Sequence, residues 1–161
     1  MWSKLLNILF ILLAVLFLIL LFTQKDKLNE YLSKEIRTQT EEETQKTISA
    51  LVDSLYNYQT NNQSTQLTFL ELGAKGCVAC RKMEFVLEEV RKEYPTEVKV
   101  VFLNILQAQN QEIMKYYGVA AIPTQILLDE EGIEYFRNTG FISFPELREH
   151  IEGKLKSNKN W

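Results

Sequence analysis

The sequence predicts an α/β domain, a mixed four-stranded sheet with helices on both faces, behind one N-terminal transmembrane helix. Three observations predict it. Residues 5–22, LLNILFILLAVLFLILLF, form an apolar run in which only Asn7 is polar. From residue 66 onward, short apolar runs alternate with segments of helical periodicity. The only two cysteines of the chain, Cys77 and Cys80, lie where one such run gives way to a helix.

Residues 1–4 are a short N-terminal tail. As a helix, the run over 5–22 would be roughly 27 Å long at about 1.5 Å per residue, close to the thickness of bilayer hydrocarbon. A cleavable signal peptide has a shorter apolar core followed by a small-x-small site. Here TQKDK follows, so residues 5–22 read as an uncleaved anchor. A small soluble core could hardly cover a helix that is apolar all round. Orientation stays open: Lys4 precedes the run, while Lys25, Lys27, Lys34 and Arg37 follow it. A plain count of basic residues keeps the C-terminal side in the cytoplasm, whereas a signal-anchor translocates it. Residues 23–65 are polar and read as a partly helical spacer. Ile48, Leu51, Val52, Leu55 and Tyr56 predict a helix over 44–58, and Leu28, Leu32 and Ile36 a shorter one before it. Part of the second helix is free to pack on the domain. QTNNQST reads as a loop.

The domain covers residues 66–156. QLTFLEL is a nearly continuous apolar run, as in a strand buried on both faces. The helix after it carries Met83, Val86, Leu87 and Val90 on one side. VKVVFLNI is a second strand, QEIMKYYG a short helix closed by Gly118, TQILLD a third strand, EEG a tight turn and IEYFRNTG a fourth strand. A last helix starts near Ser143, an N-cap with Glu146 three residues on. Residues 157–161 read as a frayed tail. Strand–helix–strand units favour parallel pairing, and the final hairpin adds an antiparallel edge.

A net charge of −3 and a pI of about 5.3 argue against nucleic acid as a partner, because phosphate binding needs a basic surface. Two cysteines cannot staple a disulfide-rich scaffold. A zinc site needs four ligands, and only His150 could join the pair, so a dimer would have to complete it. A structural bridge closing so short a loop would constrain little chain entropy. Redox exchange fits better. Cys77, at the helix N-terminus, gains from the free N–H groups and the helix dipole that stabilise a thiolate. Cys80 faces the same side one turn deeper and can close a reversible disulfide with it. Cys77 is then the attacking thiol and Cys80 the resolving one. Glu71 is a carboxyl in an apolar strand, costly when ionised, so its pKa is expected to rise if it is buried. A strand-end Glu71 reaching water is the alternative.

Beyond these residue-level arguments, the stretch over 66–152 resembles thioredoxin. The resemblance rests on GCVAC after an apolar strand, on AIPTQILLDEEG with Ile122-Pro123-Thr124 at the family's cis-proline segment, and on Gly132 and Gly140. CVAC and IPTQ are most similar to the membrane-anchored or extracytoplasmic members, partners of CcdA/DsbD-type electron carriers. The resemblance implies a protein-disulfide oxidoreductase with no cofactor beyond the redox-active Cys77–Cys80 disulfide and no metal. It implies a proton relay at Glu71 and a cis bond before Pro123. It also implies a groove for disulfide-containing protein substrates formed by Gly76, Val78, Ala79, Ile122, Pro123, Gly140 and Phe141. Four positions depart from the family. Gly76 replaces a Trp, Val78-Ala79 replaces Gly-Pro, Phe102 stands in place of a Lys near the buried acid, and Phe85 in place of a Pro. The expected protein is a single-pass membrane reductase facing the extracytoplasmic side. An oxidant or isomerase, and a tethered non-catalytic binding module, are the alternatives.

Overall fold

Seven residues, LTFLELG, set the centre of the architecture. In the computed structural model, which describes residues 2–39, 42–61 and 65–159, they form β1 (Leu67–Gly73) and are buried at every position. A strand with so little polar surface must be flanked by other strands and covered on both faces. β2 (Val98–Asn104) pairs with it on one side and β3 (Thr124–Leu128) on the other, and β4 (Glu134–Thr139) forms the edge, giving the order β2-β1-β3-β4. Because side chains alternate along a strand, Leu67 and Phe69 enter one core and Leu70 and Leu72 the other. The first core is closed by Met83, Val86, Leu87 and Val90 of α5 (Val78–Glu93) and by Leu147, Ile151 and Leu155 of α7 (Phe144–Lys159). The second is closed by Ile113 of α6 (Ala108–Tyr116), by Tyr117, and by Val52 and Tyr56 of α3 (Glu42–Tyr56).

The sheet differs from the expected one in the direction of β3. β1 and β2 are parallel, but β3 runs antiparallel to β1, and β4 antiparallel to β3. The chain leaves β2 beside the C-terminal end of β1 and, after α6, re-enters the sheet at that same end, where Thr124 pairs with Leu72.

In the N-terminal half, the second helix packs on the domain, the alternative to a plain spacer that the sequence left open. α3 and α4 (Tyr58–Asn61) bury Val52, Tyr56 and Tyr58 in the domain. The Tyr58 hydroxyl hydrogen-bonds the buried Thr68 hydroxyl of β1, and its N–H donates to the Glu130 carbonyl at 2.8 Å. The loop expected over 59–65 is helical at its start, and residues 62–64 lie outside the described residues. α2 (Lys25–Thr38) is fastened by Arg37, which donates to the Tyr117 carbonyl and to Glu134, each at 3.1 Å. The run expected to cross a membrane is helical, as α1 (Trp2–Thr23). Among the described residues, however, no helix is long and apolar enough to cross a membrane.

At the C-terminus, Ser143 and Glu146 form the expected capping box: the Ser143 N–H donates to Glu146 Oε2 at 3.2 Å and the Glu146 N–H to Ser143 Oγ at 3.5 Å. α7 runs on to Lys159, so the expected frayed tail is helical over 157–159. Asn158 Nδ2 holds that turn to Glu130 Oε2 at 2.7 Å. Residues 160–161 lie outside the described residues.

Gly118 shows how closely α2 is seated. Its φ is +61°, and a Cβ there would lie 2.2 Å from the Ser33 carbonyl oxygen. Gly118→Ala is expected to cost about 1 kcal/mol or more from the backbone conformation alone. It should also lift α2 off the domain, seen as faster amide hydrogen exchange in residues 28–38. Unchanged protection of α2 would show that this seat is not specific.

Candidate redox site

β1 ends at Gly73, and a short turn delivers the chain to α5. Gly76, at φ +94°, makes that turn in a conformation other residues adopt poorly. Cys77 follows as the N-cap of α5 (φ −71°, ψ 123°), and its sulfur accepts the Cys80 N–H at 3.2 Å. Both cysteines are free thiols, Cys77 partly exposed and Cys80 buried. Their environments push them apart. The Cys80 thiol, then the Cys80 N–H and the Ala79 N–H, stabilise the Cys77 thiolate and lower its pKa. Burial, then its hydrogen bond to Cys77, raises Cys80 to about 11. One thiol is armed at neutral pH and the other is held in reserve.

Glu71 lies beneath them. It is fully buried, which excludes the strand-end alternative, and burial raises its pKa to about 8 against an ordinary 4.5. A hydrogen bond from Gln125 Nε2 to Glu71 Oε2, at 2.9 Å, opposes the rise. Glu71 Oε1 has no hydrogen-bond partner among the described residues. Across the strand pair, Glu71 faces Phe102, which brings no charge to the site. Gly73 is on the same face of β1, one pleat along, and a Cβ there would meet Phe102 Cε2 at 3.0 Å and the Cys80 sulfur at 3.3 Å. A side chain at this position would crowd both Phe102 and Cys80.

The expected groove residues gather at the same end of the sheet. Leu72 of β1 pairs with Thr124 of β3, which places Pro123 beside the end of β1. The Ile122–Pro123 bond is cis, and the Pro123 carbonyl accepts the Gly140 N–H at 2.8 Å. Val78 and Phe141 are well exposed, as a docking surface requires, while Ala79, Ile122 and Gly140 are half-buried and Pro123 buried. Phe85 is exposed on α5 and takes no part. His150 is a surface residue of α7, stacked on Phe136 at 3.8 Å between ring centres.

Two residues escaped the sequence reasoning. Gln125 is fully buried, faces Glu71 in the β1–β3 register and faces Asn138 in the β3–β4 register. Asn138 Nδ2 donates to Gln125 Oε1 at 2.6 Å. The available signal was a buried amide beside Thr124 in the strand TQILL, which gains meaning only once β3 is known to lie antiparallel beside Glu71.

A Cys-x-x-Cys pair at a helix N-terminus, above a buried carboxyl and beside a cis-proline, defines a thiol–disulfide exchange centre. The comparisons agree. The model of the thioredoxin-like domain family matches residues 51–154, and the chain belongs to that family. It is 30% identical over 108 residues to thioredoxin of Buchnera aphidicola, covering 67% of this chain and 96% of that one. It is 36% identical over 58 residues to thioredoxin of Rickettsia bellii, covering 36% of this chain and 53% of that one. It is also 35% identical over 79 residues to the thiol:disulfide interchange protein DsbD of Actinobacillus pleuropneumoniae, covering 45% of this chain and 14% of that much longer one. Among solved structures, Fasciola hepatica thioredoxin superposes with a TM-score of 0.50 at 28% identity, covering 59% of this chain and 86% of that one. These relatives and the dithiol together support thiol–disulfide oxidoreductase activity.

Two predictions follow from the titrations. At neutral pH, iodoacetamide should modify reduced Cys77 well before Cys80, as read by mass spectrometry of the peptides; faster labelling of Cys80 would reverse the assignment. Glu71 has a folded pKa above its unfolded one, so its contribution to stability is complete below pH 4.5 and is lost as pH rises toward about 8. Glu71→Gln should therefore gain on the native protein by about 1.4 kcal/mol per pH unit across that window, a slope urea unfolding at pH 5, 6.5 and 8 would measure.

Proposed function

We propose that the protein is a membrane-tethered reductase of disulfides in extracytoplasmic proteins. The observation that carries the redox role is the division between an exposed thiol stabilised as thiolate and a buried thiol held protonated. The Cys77 thiolate attacks one sulfur of a substrate disulfide, and the other sulfur leaves as a thiolate and takes a proton from solvent. Cys80 then gives its proton to Oε1 of Glu71 in its carboxylate form, which grows in population as pH rises toward about 8, and attacks the Cys77 sulfur. The substrate's second sulfur departs and is protonated. Two electrons have passed to the substrate, and Cys77–Cys80 is now a disulfide. Ile122 and Pro123 offer backbone to an extended substrate segment, with Gly76, Val78, Ala79, Gly140 and Phe141 around it.

The tether is supported by the apolar run over 5–22 and by the exposure of its described side chains, from Leu6 to Leu21, which no part of the domain covers. The likeness to part of DsbD supports a carrier of the CcdA/DsbD type as the source of electrons.

The test is reduction of insulin by the full-length chain in detergent. Wild type should be active, Cys77→Ser inactive, and Cys80→Ser should accumulate as a mixed disulfide. An inactive wild type would leave a binding module. A reduction potential near −270 mV would fit a reductant and one near −120 mV an oxidant. Extraction of the protein from membranes at alkaline pH without detergent would remove the tether from the model of its action.

A further inference from the structure

The Glu71–Gln125–Asn138 contact runs straight across three strands and reaches the groove. Asn138 Nδ2 donates both to Gln125 Oε1 at 2.6 Å and to the Gly140 carbonyl at 3.1 Å. A main-chain carbonyl can only accept, so it fixes which end of the Asn138 amide faces inward. The Asn138 NH2 group then fixes Gln125 in turn: its oxygen faces Asn138 and its nitrogen must face Glu71, as the 2.9 Å bond to Oε2 shows. Turned around, Gln125 would set nitrogen against nitrogen at one end and oxygen against oxygen at the other. A buried amide is costly unless both of its halves are bonded, and at this fully buried site a Leu or Ile, like its neighbours in β3, would cost less.

We propose that Gln125, oriented by Asn138, is a positioning residue of the redox centre: the two amides form a chain of fixed hydrogen-bond polarity, from the Gly140 carbonyl to Glu71, that directs the transferable proton to Glu71 Oε1. This rests on Glu71 acting as the proton relay. With Oε2 engaged by Gln125, Oε1 is the oxygen left to gain and lose a proton. The titratable groups acting on Glu71 come from α5 and are the two thiols; β2 offers Phe102 and β3 offers Gln125, neither of which titrates. On its outer side Asn138 lines a cleft with Lys34, Arg37, Arg137, Glu146 and Glu149.

The test titrates the Glu71 carboxyl directly, by carbon NMR of the full-length, glutamate-labelled chain in detergent, with Glu71→Gln identifying the signal. Gln125→Met keeps the length of the side chain but not the donor, and should raise the Glu71 midpoint by about 1 pH unit. Asn138→Asp presents an acceptor to Gln125 and so turns its amide around. It should raise the midpoint when Gln125 is present and much less in the Gln125→Met background, whereas a plain charge effect would be the same in both. An unmoved midpoint in either folded single variant, or equal Asn138→Asp shifts in both backgrounds, overturns the proposal. Should Gln125→Met not fold, Asn138→Leu replaces it, removing the anchor without adding charge, and an unmoved midpoint there overturns it as well. The pH profile of mixed-disulfide resolution should shift with the carboxyl, and that shift should vanish in Glu71→Gln. A carboxyl that shifts while the rate profile stays put would support the hydrogen-bond chain and overturn the relay role of Glu71.

Discussion

A carboxyl is sealed in the central strand with no opposing charge among the described residues, and the layout of the site follows from that cost. Removing an ionised carboxylate from water costs several kcal/mol unless it is paired, so Glu71 stays largely protonated at neutral pH. Its neighbours keep it so. Phe102 supplies bulk without charge, and Gln125 supplies a single donor. One hydrogen bond moderates the rise in pKa without abolishing it, which holds the titration within reach of neutral pH. A cation in place of Phe102 would favour the carboxylate, and the acid would lose its readiness to hold a proton.

The dithiol solves the complementary problem. Cys77 needs to be an anion in contact with solvent, and the start of α5 provides N–H groups with no helical partner. Cys80 needs to remain a thiol until a substrate is attached, and burial over Gly73 provides that. The same helical turn thus places one sulfur where charge is stabilised and the other where it is penalised. The gap between the two thiols comes from the hydrogen bonds that Cys80 gives to Cys77 and from the depth of Cys80 in the fold.

Much of this was legible in the sequence because it is local. The run QLTFLEL reads as an inner strand, and Cys77 after Gly76 as the start of a helix. A polar residue six positions before Cys77 in such a strand had to be either buried and shifted or at the strand's end. What the sequence did not convey depends on long-range geometry. The direction of β3 depends on the end of the sheet at which the chain re-enters after α6, and the packing of α3 on which face of the sheet is left uncovered. Residues 23–65 looked like a spacer because their composition is polar. Yet Val52 and Tyr56 belong to the second core, and Tyr58 is buried with its hydroxyl on Thr68 of β1. Gln125 and Asn138 were invisible because their meaning lies in register, and register is a property of two strands at once.

β4 links the buried acid to the N-terminal helix α2. Adjacent residues on a strand point to opposite faces, and Arg137 and Asn138 use that alternation. Arg137 turns toward the α3–α6 side, donating to the Tyr117 carbonyl at 2.8 Å and to Glu134, the same two groups that Arg37 of α2 engages. Asn138 turns toward the α5–α7 side and, through Gln125, reaches Glu71. The edge strand therefore holds the N-terminal helix with one residue and the buried acid with the next. Neither contact could be kept if β4 slipped by one position, because every side chain would change faces. Pairing along the whole of β3, with its irregularity confined to Leu127/Leu128, sets that register. The site and the attachment of α2 are thus fixed by a single strand alignment.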